Sequence, residues 1–262
     1  MQKNVEFGII GGTGIYNLNI KNATKIKIST PYGKTSDHIM IGEIKNKKIA
    51  FIPRHGNKHT IPPHLVNFKA NIWAYKELGI KRIVGISSVG SLRKKIKPGQ
   101  FVLPSQFLDF TKSRDGSFAK IGDVIHISVA NPFCTELQEI ISKVATKDKI
   151  KIHKNCTYTC IEGPRFSTYA ESNFFRKIGA DIIGMTLVPE CQLARETQMC
   201  YLSISIVTDY DSWLDENVTA KNVSSKLADS TQIINKILTD LIELTPRKKT
   251  CNCEKDLLSA KL

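Results

Sequence analysis

No apolar run in this chain approaches the roughly 20 residues that span a bilayer as a helix. The N-terminal Met1-Gln2-Lys3-Asn4-Val5-Glu6 lacks the charged-then-apolar order of a secretory leader. Together these absences make the cytoplasm the expected compartment. There is no pair of Cys-x-x-Cys motifs, so spacing offers no zinc site. No glycine loop ends in the Lys-Ser/Thr of a P-loop, and none has the spacing of a dinucleotide fingerprint. Internal repeats, low-complexity blocks, linkers and arginine-rich arms are likewise missing.

Positive charge is in excess, with 38 Lys and Arg against 24 Asp and Glu, a net +14. Such a balance invites a nucleic-acid reading. The lysines are scattered, however, as at Lys21, Lys45, Lys94, Lys147 and Lys154. Scattered lysine keeps a surface soluble and steers small anions such as phosphate. At 262 residues and 41% hydrophobic content the chain can bury a core as one large α/β domain. The seven cysteines are expected as thiols in an ordinary cytosol. Cys251-Asn252-Cys253 is too short for a relaxed disulfide.

Apolar segments at Val5 to Ile10, Lys47 to Ile52, Arg82 to Ile86, Thr157 to Ile161, Asp181 to Thr186 and Leu202 to Thr208 read as strands. Helical spacing covers His64 to Leu78, Pro132 to Val144, Ala170 to Ile178, Pro189 to Met199 and Thr219 to Leu244. Thr168 and Glu171 have capping-box spacing. This order indicates one domain over residues 1–245, a central mixed β-sheet flanked by helices. Residues 246–262 read as a loose basic tail that carries the Cys-x-Cys.

Several strands run into polar turns, where open α/β sheets place ligands. Gly11-Gly12-Thr13-Gly14 lets backbone approach an anion, and Pro53-Arg54-His55-Gly56 offers a guanidinium fork and an imidazole. Ser87-Ser88 and Met185-Thr186 add hydroxyls. Glu162-Gly163-Pro164-Arg165-Phe166-Ser167 presents a ring face and a hydroxyl, which suit a flat heterocycle. A strand ends in Thr208-Asp209-Tyr210-Asp211. On an extended chain these two acids share a face and repel, so that one holds a proton.

Six ordered motifs together resemble the purine nucleoside phosphorylase superfamily, in the branch that acts on S-methyl-5'-thioadenosine. They are Gly11 to Gly14, Arg54 to Gly56 with His59-Thr60, Gly90 to Leu92 with Pro98-Gly99, Glu162 to Ser167, Met185-Thr186 with Val188 to Glu190, and Thr208 to Asp211. The resemblance covers residues 5 to about 244. It implies phosphorolysis of an N-glycosidic bond, with inorganic phosphate as co-substrate and neither cofactor nor metal. By the same resemblance Thr13, Arg54, His55, Ser87, Ser88 and Thr186 bind phosphate. Met185 packs on the ribose, and Phe166 and Ser167 touch the base. Asp209 and Asp211 read N7 and the 6-amino group, and with Thr186 they form the catalytic set. His126 reaches into a neighbouring subunit's site, while Ala220 and Val223 line an apolar slot for the methylthio group. A homotrimer or a dimer of trimers follows, with no nucleic-acid or membrane partner. In heat-adapted members the resemblance implies a Cys134–Cys200 bridge and a bridged Cys251–Cys253 pair.

This chain departs from the family pattern in places. Gly184 stands where many relatives carry asparagine, and Ser87 and Ser88 replace threonine and alanine. The alternatives are a 6-oxopurine or methylthioinosine phosphorylase and, from another class, a non-catalytic nucleotide or RNA-binding module.

Overall fold

Runs of Ile, Val and Phe set the frame, because such residues fit a pleated surface buried on both sides. β1 (Phe7–Gly11), β4 (Lys47–Pro53), β5 (Arg82–Ser91) and β9 (Cys200–Asp209) are buried over most of their length. The structure is a computed structural model and describes residues 5–12, 18–214, 219–255, 257 and 260, with the side chains of 220–225, 228 and 229 left aside.

β2 (Lys21–Ile26) and β3 (Ile39–Ile44) add an antiparallel edge to β4. With β6 (Phe101–Phe110), β7 (Ile152–Ile161) and β8 (Ile182–Gly184), nine strands form one mixed sheet in the order β2-β3-β4-β1-β5-β8-β7-β6-β9. β9 also runs parallel to β5 along nearly its whole length. The segment β5-β8-β7-β6-β9 is therefore closed on itself, and the mixed sheet is part open and part ring.

β5 changes partner along one edge. Arg82 to Gly85 pair with β1, and Gly90 and Ser91 pair with β8. Between these two ladders, Ile86 to Val89 have no strand partner on that edge among the described residues. Backbone groups and two serines are thus left facing an opening at a switch point of the topology.

α1 (Phe68–Glu77) packs with α4 (Glu190–Glu196), and α2 (Thr135–Lys147) packs with α5 (Ala220–Leu244). Each pair closes its own apolar cluster. One includes Ile72 and Leu193, the other Leu137, Ile141, Ile234 and Leu241. α3 (Tyr169–Lys177) starts in the capping box that spacing predicts. Thr168 Oγ1 accepts from Glu171 N at 3.1 Å, and a Glu171 carboxylate oxygen accepts from Thr168 N at 2.7 Å.

The basic tail is not loose over its first ten residues. Arg82 donates to the carbonyl of Pro246 at 2.9 Å, and Thr250 donates through N and Oγ1 to buried Glu136 at 3.1 and 2.9 Å. Cys253 is buried. Charged composition marked the tail as solvated, but two buried ionic groups of the body, Arg82 and Glu136, find their partners in its backbone and hydroxyl groups. The seven cysteines are free thiols, so the bridges Cys134–Cys200 and Cys251–Cys253 are not formed. Instead four of these thiols share one pocket, and no two form an isolated pair.

Candidate active site

A cavity of about 710 Å³ opens where the strands end. Its walls are residues at or just beyond the C-terminal ends of β1, β4, β5, β7, β8 and β9. Such a volume suits a nucleoside-sized ligand.

At one end lies Arg54, only 1% exposed. Its Nε and Nη2 donate to the two oxygens of Glu190 at 2.6 and 2.7 Å, and Nη1 donates to the carbonyl of Ile86 at 2.8 Å. A guanidinium has five N–H groups. Three are engaged here, and two remain beside the cavity that Arg54 lines. Burial alone would lower the Arg54 pKa; the Glu190 carboxylate reverses this and raises it. Glu190 is itself held by the Tyr201 hydroxyl at 2.7 Å. Gly85 makes room for this network, since a Cβ there would sit 2.2 Å from the Tyr201 hydroxyl and 2.8 Å from Glu190.

His55 is buried next to Arg54 and directs Nδ1 to the carbonyl of Ile61 at 2.9 Å. A carbonyl only accepts, so Nδ1 carries the proton and Nε2 is the acceptor. Burial, then the Arg54 charge, lowers the His55 pKa to about 4 from 6.5. The unfolded chain therefore takes up a proton that the folded chain refuses. The stability that neutral His55 contributes is present above pH 6.5 and is lost as pH falls toward 4. The expected loss is up to about 3 kcal/mol. Urea unfolding at pH 7 and pH 4.5 checks this: wild type should lose more stability than His55→Gln between the two.

Ser87 and Ser88 occupy the unpartnered edge of β5, and Thr186 follows β8; all three line the cavity. The buried Tyr158 hydroxyl lies near Ser87 and the backbone at Thr186, but it has no hydrogen-bond partner among the described residues. It also fills the space at Gly184, where a Cβ would lie 2.0 Å from that oxygen. This explains the departure at position 184 in physical terms: the tyrosine hydroxyl occupies the volume that a side chain would need. Gly184→Asn is accordingly expected to destabilise by about 1–3 kcal/mol through overpacking. A double-mutant cycle should find a smaller loss in a Tyr158→Ala background.

At the other end, Phe166 lines the cavity with a half-open ring, and Met185 sits against Gly163. The Ser167 hydroxyl lies 2.7 and 2.6 Å from the two oxygens of Asp211. Asp209 accepts from the Thr208 hydroxyl at 2.7 Å on one oxygen and from the Asp211 N–H at 2.8 Å on the other. Burial raises the Asp209 pKa, and the charge of Asp211 adds to the rise. Gly90 permits this packing, because a Cβ would meet Asp209 at 2.8 Å.

The two acids line one cavity, but not by strand alternation. β9 stops at Asp209, and Asp211 sits at φ +52° at the start of a 3-10 turn. Its carboxylate is turned toward Ser167, so the expectation of two acids on one extended face fails at Tyr210.

Arg54, His55, Ser87, Ser88, Phe166, Ser167, Met185, Thr186, Asp209 and Asp211 all line the cavity. His126 does not; it is exposed, and its N–H donates to the carbonyl of Ala260 at 2.8 Å. Thr13 lies outside the described residues. Ala220 and Val223 fall on the first turn of α5, with side chains outside the description. Sequence reading gave no role to Tyr158, and it named Glu190 and Thr208 only as members of motifs. An acid beside a proline reads as the start of a helix, and nothing local says that it closes on an arginine 136 positions away.

The Phosphorylase superfamily matches residues 6–243. The S-methyl-5'-thioadenosine phosphorylase of Nitrosopumilus maritimus is 62% identical over 99% of both chains. That of Saccharolobus solfataricus is 50% identical over 97% of this chain and 96% of its own. Among solved structures, a methylthioadenosine phosphorylase from an Antarctic soil metagenome superposes with a TM-score of 0.93 at 38% identity, covering 100% of this chain and 93% of that one. The Schistosoma mansoni methylthioadenosine phosphorylase in complex with adenine also gives 0.93, at 34% identity, covering 98% and 99%. The chain belongs to the phosphorylase superfamily, among its S-methyl-5'-thioadenosine phosphorylases.

Proposed function

We propose that this chain cleaves 5'-methylthioadenosine with inorganic phosphate, giving adenine and 5-methylthioribose 1-phosphate. One observation carries this reading. A single cavity sets a cationic, hydroxyl-rich end opposite a buried carboxyl whose pKa is raised.

The chemistry requires both ends. A phosphate oxygen forms a bond to C1' as the bond from C1' to N9 breaks, and the electron pair leaves with the purine. Phosphate is held under C1' by the two unengaged N–H groups of Arg54 and by Thr13, Ser87, Ser88 and Thr186. Neutral His55 accepts the P–O–H proton of monohydrogen phosphate at Nε2. Asp209 supplies a proton toward N7 and relieves the charge on the departing base. Met185 packs on the ribose and Phe166 on the base.

Asp211 decides between adenine and a 6-oxopurine. Ser167 donates to its carboxylate, which leaves Asp211 an acceptor. An acceptor pairs with the 6-amino group of adenine and faces a 6-oxo group lone pair to lone pair. Turnover of methylthioadenosine, adenosine, inosine and methylthioinosine tests this: the two 6-amino substrates should exceed their 6-oxo counterparts. Faster inosine turnover overturns it.

The same proposal places Ala220 and Val223 beside the methylthio group. It makes the enzyme a homo-oligomer in which His126 completes a neighbour's site, as a trimer or a dimer of trimers. Exposed Ile121 and Val124, close in sequence to His126, support a covered surface there. No helix among the described residues is long and apolar enough to cross a membrane. A cytoplasmic enzyme that needs no cofactor is the setting we assign.

A further inference from the structure

Cysteine spacing in the sequence offers no metal site, yet the fold gathers four thiols. Cys200 opens β9 at the end remote from Asp209. Cys134 precedes α2, and its N–H donates to the carbonyl of Tyr201 at 2.9 Å, which ties it to that strand. Cys251 and Cys253 come from the tail. Cys251 lies in a bend and Cys253 starts a turn, and this local fold brings both thiols to one place. All four Sγ atoms lie within 4.8 Å of one another. Cys134 and Cys200 are fully buried, and Cys253 is 7% exposed.

We propose that these four thiolates bind one Zn²⁺ and staple the tail to the body. Tetrahedral zinc with Zn–S bonds of about 2.3 Å holds its sulfurs about 3.8 Å apart. The Cys200–Cys251 separation is 3.3 Å, and the widest in the cluster stays within 4.8 Å. Each sulfur therefore moves by less than about 1 Å to reach that geometry. Each ligating thiol loses its proton to solvent, and no electron is transferred.

A zinc tetrathiolate carries two negative charges. Arg195 lies close enough to favour the Cys253 thiolate, and Lys249 close enough to be favoured by Cys200 and Cys251. Lys249 also pairs with Glu254 at 2.6 Å, and the carbonyl of Glu254 accepts from Gln198 at 3.0 Å, so the tail is already in place around the site. Four protein ligands close the coordination sphere, which makes the site structural. At roughly 3.3 Å per residue along β9 it lies roughly 30 Å from Asp209, and it does not depend on the assignment of the cavity.

The test is metal content and thiol reactivity of the full chain purified under inert gas with a reductant. The expected result is one zinc per chain, released as a mercurial titrates the four clustered thiols. Cobalt exchanged for zinc should give the intense visible bands of a tetrahedral thiolate site. Cys251→Ser with Cys253→Ser should lower bound zinc to below about a tenth per chain, with methylthioadenosine cleavage retained. The cobalt spectrum needs no variant, so the proposal stands or falls even if the double variant fails to fold. A reduced chain that holds no zinc and takes up no cobalt overturns it. So does a metal-free chain whose mass is lower by the hydrogens of two disulfides.

Discussion

Asp209→Asn is expected to lower kcat for phosphorolysis by about 10²- to 10⁴-fold, the range for loss of a positioned proton donor. Phosphate affinity should hardly change. Burial raises the pKa of Asp209, which favours its protonated form. Asparagine is isosteric and can still donate a hydrogen bond, but it cannot give up a proton. Its carbonyl can still accept from the Asp211 N–H, and the Thr208 hydroxyl can rotate to accept from the new amide. The pocket is thereby preserved, and the loss falls on the chemical step. Steady-state kinetics beside phosphate titration by calorimetry check the split. A variant that loses phosphate binding in proportion to kcat contradicts the assignment.

Glu190→Ala is expected to destabilise the fold by about 3–5 kcal/mol, because it leaves a buried guanidinium without its counter-charge. Arg54 and Glu190 are each 1% exposed, and Arg54 is bidentate on the carboxylate. The Ile86 carbonyl of β5 and the Tyr201 hydroxyl hold the two partners in place on the side away from the cavity. Removing both charges should behave differently. Arg54→Met with Glu190→Leu exchanges the pair for apolar volume, which is commonly neutral or stabilising. That double variant should regain most of the lost stability and still fail to bind phosphate. Urea unfolding with and without phosphate separates the two effects, since phosphate should no longer raise the midpoint.

Much of the site could be read in the sequence because its parts are short and local. Arg54-His55, Phe166-Ser167 and Met185-Thr186 each follow a strand, Ser87-Ser88 lie within β5, and the two acids flank the end of β9, where strand ends meet in this topology. The Thr168–Glu171 box is equally local, and both of its bonds form. What escaped depends on contacts far apart in the chain. β2 is exposed and lysine-rich and has no apolar alternation to betray it. β6 contains Pro104, where its register against β7 slips, and a proline inside a run argues against a strand. Closure of β9 onto β5 leaves no local mark. Tyr158 reads as one aromatic of a strand, although its hydroxyl determines why position 184 is glycine. At Asp209 and Asp211 the residues are right and the geometry differs, because two-residue alternation ends where the strand does. The tail looked solvated by charge, while its partners, Arg82 and Glu136, are buried in the body.

Adenine release from methylthioadenosine, followed with and without inorganic phosphate and with inosine as a parallel substrate, tests the central claim most directly. Phosphate-dependent release that favours methylthioadenosine is the predicted result, with 5-methylthioribose 1-phosphate formed one for one with adenine. Release at the same rate without phosphate would make the chain a hydrolase and contradict the roles given to Arg54 and His55.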